Sequence, residues 1–266
     1  MEVNVLDLEG RQIGKIKLPK VFEEPVREDI VSRAVLSSQS NRRQRYSPDP
    51  MAGKRTSAHY HGTRRIRYSM MNKEMARLPR LHARTVPFLT MRARFVPQAV
   101  GGRRAHPPLV EREWEQKINR KERRKAIKSA LAATSVRELV AKRGHQIQDI
   151  KELPLVVEDK LQELKKTKEV IKVLVKLGLT KELERISERK IRAGKGKSRG
   201  RKYKEKIGPL FVVTDAQGLS KAVKNITGCD VCKVENLSTE ILAPGASLGR
   251  ITIFSKSAIE NLNKPS

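Results

Sequence analysis

Sulfur, aromatic rings, acidic side chains and long apolar runs are all scarce in this chain. Its 266 residues include 2 cysteines, too few for the framework of bridges that holds small secreted domains together. No stretch is apolar for long enough to span a bilayer, and neither basic region is an amphipathic helix of the kind that lies on a membrane surface. The first residues, MEVNVLDLEG, form no cationic apolar leader. These absences predict a soluble, intracellular protein with no membrane partner. No Ser/His/Asp set and no paired carboxylates can be picked out, so nothing argues for an enzyme, a cofactor or a small-molecule substrate.

Positive charge is abundant, and it is concentrated. Lys and Arg number 58 against 29 Asp and Glu, a formal net charge of +29. Residues 41–108 hold sixteen cations, fourteen of them Arg, against Asp49 and Glu74, for a net +14. Residues 190–206, KIRAGKGKSRGRKYKEK, hold nine cations against Glu205, for a net +8. The rest of the chain carries the remaining +7, ordinary for a soluble domain of its size. Charge focused in this way predicts a polyanionic partner, with nucleic acid the natural one.

Residues 41–108 show no sustained helical or strand period, and an irregular segment of that length is either functional or disordered. The Arg bias favours function, because a planar fork matches phosphate oxygens and stacks on bases where a solubilising tail could as well use Lys. Tyr46, His59, Tyr60, His61, Tyr68, His82, Phe88, Phe95 and His106 are interleaved with the cations. Rings among guanidinium groups suit irregular or single-stranded RNA, whose exposed bases stack on both. A disordered basic linker is the alternative, and a segment that orders on RNA satisfies both readings.

Around this segment, 3–8 and 13–18 read as a small hairpin, and a helix beginning near Pro25 carries Val26, Ile30, Val31, Ala34 and Val35 to Asn41. Beyond it come a helix at 119–133, a second opened by a Ser135/Glu138 capping box and ending at Gly144, and a strand at 155–157. Helical spacing recurs at 167–177 and stops at Gly178, and Thr180 starts a helix that runs into the second basic cluster. Strands at 210–213, 231–234 and 250–254, a helix at 219–226, and a last helix with a Ser257/Glu260 capping box complete the pattern. Alternating strands and helices predict one α/β domain with a mainly parallel four-stranded sheet covered on both faces.

Three motifs look like chemistry and are better read otherwise. Cys229 and Cys232 have the C-x-x-C spacing, but no second ligand pair matches and a strand would put them on opposite faces, as ordinary buried thiols. The segment AGKGKSRG at 193–200 lacks the first Walker glycine, since Ile191 stands there, and it follows a helix. Its glycines let a cationic backbone approach a sugar-phosphate chain instead. His59 and His61 are half a metal site with the partners missing, and between Lys54, Arg55, Arg64 and Arg65 they are read as facing RNA.

Four strings carry a family resemblance: GGRRAHPP at 101–108, KIRAGKGKSRGRKY at 190–203, VENLSTEILAPG at 234–245 and GRITIFSKSAIENL at 249–262. Over essentially the whole length the chain resembles the archaeal and eukaryotic ribosomal protein L-four family, and looks archaeal. The resemblance implies a three-layer α/β/α domain, residues 1–40 and 109–266, with an rRNA-penetrating loop, 41–108, inserted in it. It implies a structural constituent of the large ribosomal subunit, cytoplasmic, that supports assembly and whose loop helps form the polypeptide exit tunnel wall. Neighbouring large-subunit proteins and the nascent chain would be further partners; a free-standing RNA-binding regulator is the alternative. The residues expected on rRNA are Arg42, Arg43, Arg45, Lys54, Arg55, His59, Tyr60, His61, Arg64, Arg65, Arg67, Tyr68, Arg92, Arg94, Arg103, Arg104 and His106 in the loop. In the second cluster they are Lys190, Arg192, Lys195, Lys197, Arg199, Arg201, Lys202 and Lys204. Arg77, Arg80, His82 and Arg84 are the candidates for the tunnel-facing tip.

Overall fold

A computed structural model of the chain describes residues 1–82 and 87–263. They group into two units, Met1–Asn41 with Glu115 onward, and Arg42–Trp114.

The first unit is built on one sheet. Strands β1 (Glu2–Leu6) and β2 (Gln12–Lys17) form an antiparallel hairpin. β3 (Leu155–Val157), β6 (Leu210–Val213), β7 (Asp230–Lys233) and β8 (Thr252–Ser255) join them in the order β2-β1-β3-β8-β6-β7, and every pairing but β1 with β2 is parallel. The mainly parallel α/β expectation holds, but the sheet has six strands rather than four. The hairpin does not stand apart: Val3 and Val5 point into the core, and pairing of Val5 with Val156 and Leu6 with Val157 attaches it to β3.

β3, β6 and β8 are buried along their whole length, as parallel strands covered on both faces must be. Their alternation sorts side chains into two cores. Leu155, Val157, Phe211, Val213 and Ile253 face one, which is closed by α4 (Thr167–Lys176), α5 (Thr180–Ser187) and α6 (Gln217–Val223). Val156, Leu210, Val212 and Phe254 face the other, closed by α1 (Glu28–Asn41), α2 (Arg120–Ser135), α7 (Thr239–Leu242) and α8 (Lys256–Leu262). The two helical layers make the domain α/β/α. α4 shows the logic: Val170, Val173 and Leu174 fall on one face, each worth about 1.5–3 kcal/mol when buried. Gly178 ends the helical run at φ +82°, where a Cβ would stand 2.9 Å from the Asp149 carbonyl oxygen. Cys229 lies in the first core and Cys232 in the second, both as free thiols, on opposite faces as expected of a strand. Burial pushes the Cys229 thiol up to about 12, and raises Cys232 as well, so neither is a ready nucleophile.

Helix ends depart from the sequence reading. Ser135 is the last residue of α2, its hydroxyl returned to the Ala132 carbonyl at 2.7 Å, and α3 (Arg137–Lys142) starts without a side-chain cap. α8 is capped by Ser255, whose Oγ accepts from Ala258 N at 3.3 Å, while Ser257 donates to Asp159 at 2.6 Å. α5 does not run into the second basic cluster either. It ends at Ser187, and the cluster forms its own ladder, β4 (Lys190–Ile191) with β5 (Tyr203–Lys204).

The second unit contains no helix or strand longer than a single 3-10 turn at Pro87–Leu89 among its described residues. Two isolated antiparallel bridges tie it together, His59 with Arg80 and Arg80 with Ala93. Met70 and Leu81 are the buried apolar residues among those described. A segment with so little core is held by backbone hydrogen bonds rather than by packing.

Candidate RNA interface

In Arg42–Trp114 the backbone turns its polar groups on itself and most of its described cations outward. Residue 80 is the centre of a three-segment ladder: His59 and Arg80 exchange bonds of 3.3 and 3.1 Å, and Arg94 N donates to the Pro79 carbonyl at 3.0 Å. The Arg80 guanidinium donates to the Met91 and Ala76 carbonyls at 2.8 and 2.9 Å. That arginine therefore serves the segment's own fold. Near the ends of the segment the indole of Trp114 lies under the Arg43 guanidinium, 3.8 Å from carbon to ring centroid, and Arg112, at 4.4 Å, with Tyr46 stacked alongside at 6.4 Å and 13°. The GGRR motif has a steric reason: a Cβ on Gly102 would fall 1.9 Å from the Val96 carbonyl oxygen.

His82 joins His59 and His61, with ring centroids 4.3 to 4.6 Å apart, and Tyr68 stacks on His82 at 5.2 Å. The partner that sequence spacing left missing comes from twenty-one residues downstream, delivered by the His59–Arg80 bridge. Burial, and then the neighbouring rings of His59 and His61, hold the His82 imidazole below its ordinary range.

The second cluster is a tight hairpin. Arg192 N donates to Lys202 O at 2.8 Å and its Nε to Arg201 O at 3.1 Å, which fixes the two arms. Between them Arg201 N reaches the Gly196 carbonyl at 3.1 Å, coiling the glycine-rich tip. Lys190 stands opposite Lys204 across the ladder, and like charges so placed oppose pairing until an anion intervenes. Beside the hairpin, Lys190, Lys204 and Lys206 share a cleft of about 390 Å³ with Arg143, His145 and Arg185. Burial, with Arg250 and Arg185 nearby, lowers the Arg143 guanidinium to about 10. Below it, Glu182 accepts from Arg185 at 2.6 and 2.8 Å, from Gln146 N at 3.0 Å and from His145 Nδ1 at 2.6 Å.

Exposure separates the candidate residues. Arg42, Arg43, Arg45, Lys54, Arg55, His59, Tyr60, Arg64, Arg65, Arg67, Arg92, Arg104 and His106 are exposed, and His61, Tyr68, Arg94 and Arg103 are half-buried. In the hairpin Arg192 is half-buried, while Lys190, Lys195, Lys197, Arg199, Arg201, Lys202 and Lys204 are exposed. Arg77 is exposed, Arg80 and His82 are half-buried, and Arg84 lies outside the described residues. Arg112 and Trp114 lie just past the expected end of the segment at residue 108, and the cleft residues Arg143 and Arg185 fall outside both basic clusters. The sole tryptophan beside an arginine was the one local signal for the first pair.

The profile of the ribosomal protein L4/L1 family matches residues 16–265. The chain belongs to that family. Members of the L4/L1 family similar to it include the large ribosomal subunit protein uL4 of Nanoarchaeum equitans, 49% identical over 266 residues, 99% of this chain and 98% of the relative. The uL4 proteins of Methanopyrus kandleri and Methanosphaera stadtmanae are 46% and 45% identical, covering 99% and 98% of this chain and 98% and 96% of their own lengths. The L4/L1 family is structural rather than enzymatic.

Proposed function

We propose that the chain is a structural constituent of the large ribosomal subunit, acting in the cytoplasm within the ribosome, and that it binds large-subunit rRNA through two separate basic devices. The observation that carries this reading is the second unit: net +14 over residues 41–108, almost no apolar core among the described residues, and most of its arginines exposed. Such a segment is poorly stabilised by its own packing and well matched to crowded phosphates. In this reading the α/β/α domain, residues 1–40 and 109–266, is the anchor, and 41–108 is the rRNA-penetrating loop. The hairpin at 190–206 takes a different rRNA segment beside the domain. The stretch carrying Arg77, Arg80, His82 and Arg84 is the candidate for the tunnel wall and for contact with the nascent polypeptide, and neighbouring large-subunit proteins complete its surroundings.

The test is incorporation. A variant with 42–114 replaced by a short flexible linker keeps the folded domain and fails to enter large subunits, losing early assembly before it loses stability. Equal incorporation of the loopless and intact proteins would overturn the reading. Sedimentation of cell extract after a high-salt wash separates it from a dissociable regulator: an integral subunit protein stays with the large subunit, whereas a regulator moves to the top of the gradient.

A further inference from the structure

We propose that His59, His61 and His82 form a binding site for one divalent transition-metal ion, Zn2+ being the best matched, which staples two distant parts of the second unit together. One nitrogen from each ring lies within 4.8 Å of the others. Zn2+ holds imidazole nitrogens at about 2.0–2.1 Å, which sets them about 3.4 Å apart, so the rings need to close by about 1.4 Å at most. Three histidines leave a fourth position open, as zinc sites with three protein ligands do.

The hydrogen bonding prepares the rings for a metal. His59 Nδ1 lies 2.9 Å from the Ser57 carbonyl, which can only accept, so Nδ1 carries the proton and Nε2 keeps its lone pair. A backbone carbonyl fixing one nitrogen while the other is free to ligate is the usual arrangement around metal-bound histidine. His82 makes the stronger case. Both its ring nitrogens are buried without a hydrogen bond of good geometry, and the nearby His59 backbone offsets that burial only in part. Leaving a buried polar atom unpaired costs about 1–3 kcal/mol, and a metal would engage one of the two. Tyr68, stacked on His82, fixes the plane of that ring. Among the described residues, the guanidinium nearest His82 in sequence, that of Arg80, is already committed to two backbone carbonyls.

The architecture also supplies a reason for such a site. Met70 and Leu81 are the buried apolar side chains of Arg42–Trp114 among its described residues, far too few to fold a segment of that length by burial. Small units with inadequate cores are commonly closed by a metal, and the binding free energy then becomes folding free energy. The three ligands sit on both sides of the His59–Arg80 bridge, where a staple would shorten the free loop most. Acidic ligands are absent from the trio, which selects for imidazole-preferring ions over Mg2+ or Ca2+.

The experiment uses the full chain, freed of nucleic acid and metal and titrated with Co2+ and then Zn2+. We expect one equivalent of Co2+ to give the intense visible absorption of tetrahedral coordination, displaced by one equivalent of Zn2+. H82A and H61A should weaken binding by more than about 100-fold, the upper range for disturbing even an outer partner of a ligand, while H106A, elsewhere in the segment, leaves it intact. H59Q guards against simple misfolding, because His59 is exposed and its replacement leaves Met70 and Leu81 in place; it must lose the absorption with the Trp114 emission unchanged. Absence of tetrahedral Co2+ absorption, or binding that survives H82A or H59Q, would overturn the site. Neither outcome bears on rRNA affinity, which is measured separately in the presence of a chelator.

Discussion

Arg250 reaches past the start of β6 to place its guanidinium 2.6 Å from Asp230 at the head of β7. The arginine is 1% exposed and the aspartate 64%. The same fork donates to the carbonyls of Gly208 and Ile241 at 2.9 Å each and of Gly228 at 3.2 Å. One buried cation thus ties together the segments entering β6 and β7 and the end of α7.

The two halves of this contact should therefore fail unequally. R250K keeps the charge but not the planar fork, and leaves carbonyls and a buried ammonium poorly matched; we expect a loss of about 2–4 kcal/mol. D230N removes a largely solvated partner and should cost less than about 1 kcal/mol. Urea denaturation measures both, with an unchanged slope showing that stability alone has moved. Equal losses would mean that the ion pair, not the carbonyl network, carries the energy.

The His145–Glu182 contact gives the domain an acid limit. Burial drives the His145 imidazole below its ordinary range, and Arg185 and Arg143 push the same way against the pull of Glu182. Neutral His145 donates Nδ1–H to Glu182, whose carboxyl is pushed up by burial but held lower overall by Arg185 and His145. As pH falls through about 6.5, the unfolded chain gains the histidine proton and the folded chain does not, so stability declines toward acid. Glu182 adds a further loss once pH drops below the ordinary carboxylate range. Thermal unfolding between pH 8 and pH 5 should show this decline, and H145N should flatten it.

RNA affinity should fall steeply with salt, and the slope counts phosphate contacts. Replacing Lys195, Lys197, Arg199 and Arg201 together with Gln should reduce the slope of log K against log salt by about 2.8–3.6, at about 0.7–0.9 per contact. An unchanged slope would make the hairpin a merely solvated surface.

Trp114 reports on the second unit alone, being the sole tryptophan of the chain. If Arg43, Arg112 and Tyr46 cover it before RNA arrives, acrylamide quenching of the free protein will be well below that of an exposed indole, and R43A/R112A will raise it. Each cation over the ring contributes about 0.5–1 kcal/mol at such a site. Full quenching in the free protein would mean that the segment orders only on its partner.

Local signals carried most of the first unit and little of the second. Val170, Val173 and Leu174 repeat at helical spacing, and the all-apolar runs of β3 and β6 are strands buried on both faces, so these were legible. The pairing of Val5 with Val156 spans about 150 residues and leaves no local trace, which is why the hairpin looked separate from the sheet. Ser135 and Ser257 misled because a serine hydroxyl satisfies a helix carbonyl or a distant carboxylate as readily as it caps a helix. The basic segment was legible as chemistry and not as geometry. With no period to follow, nothing near His59 pointed to His82, and the exposed Arg77 could not be told apart from the half-buried Arg80.

β8 is the latest of the six strands in the chain and lies between β3 and β6, in the interior of the sheet. During synthesis the five earlier strands must therefore wait with a gap in their middle. From Trp114 to Thr252 is 138 residues, and at about 5–20 residues per second this stage of the wait lasts about 7–28 s. Throughout it the arginine-rich segment is already out, with no completed domain behind it. A newborn molecule is thus a sticky polycation before it is a folded protein, and whatever escorts it must mask charge first and apolar surface second.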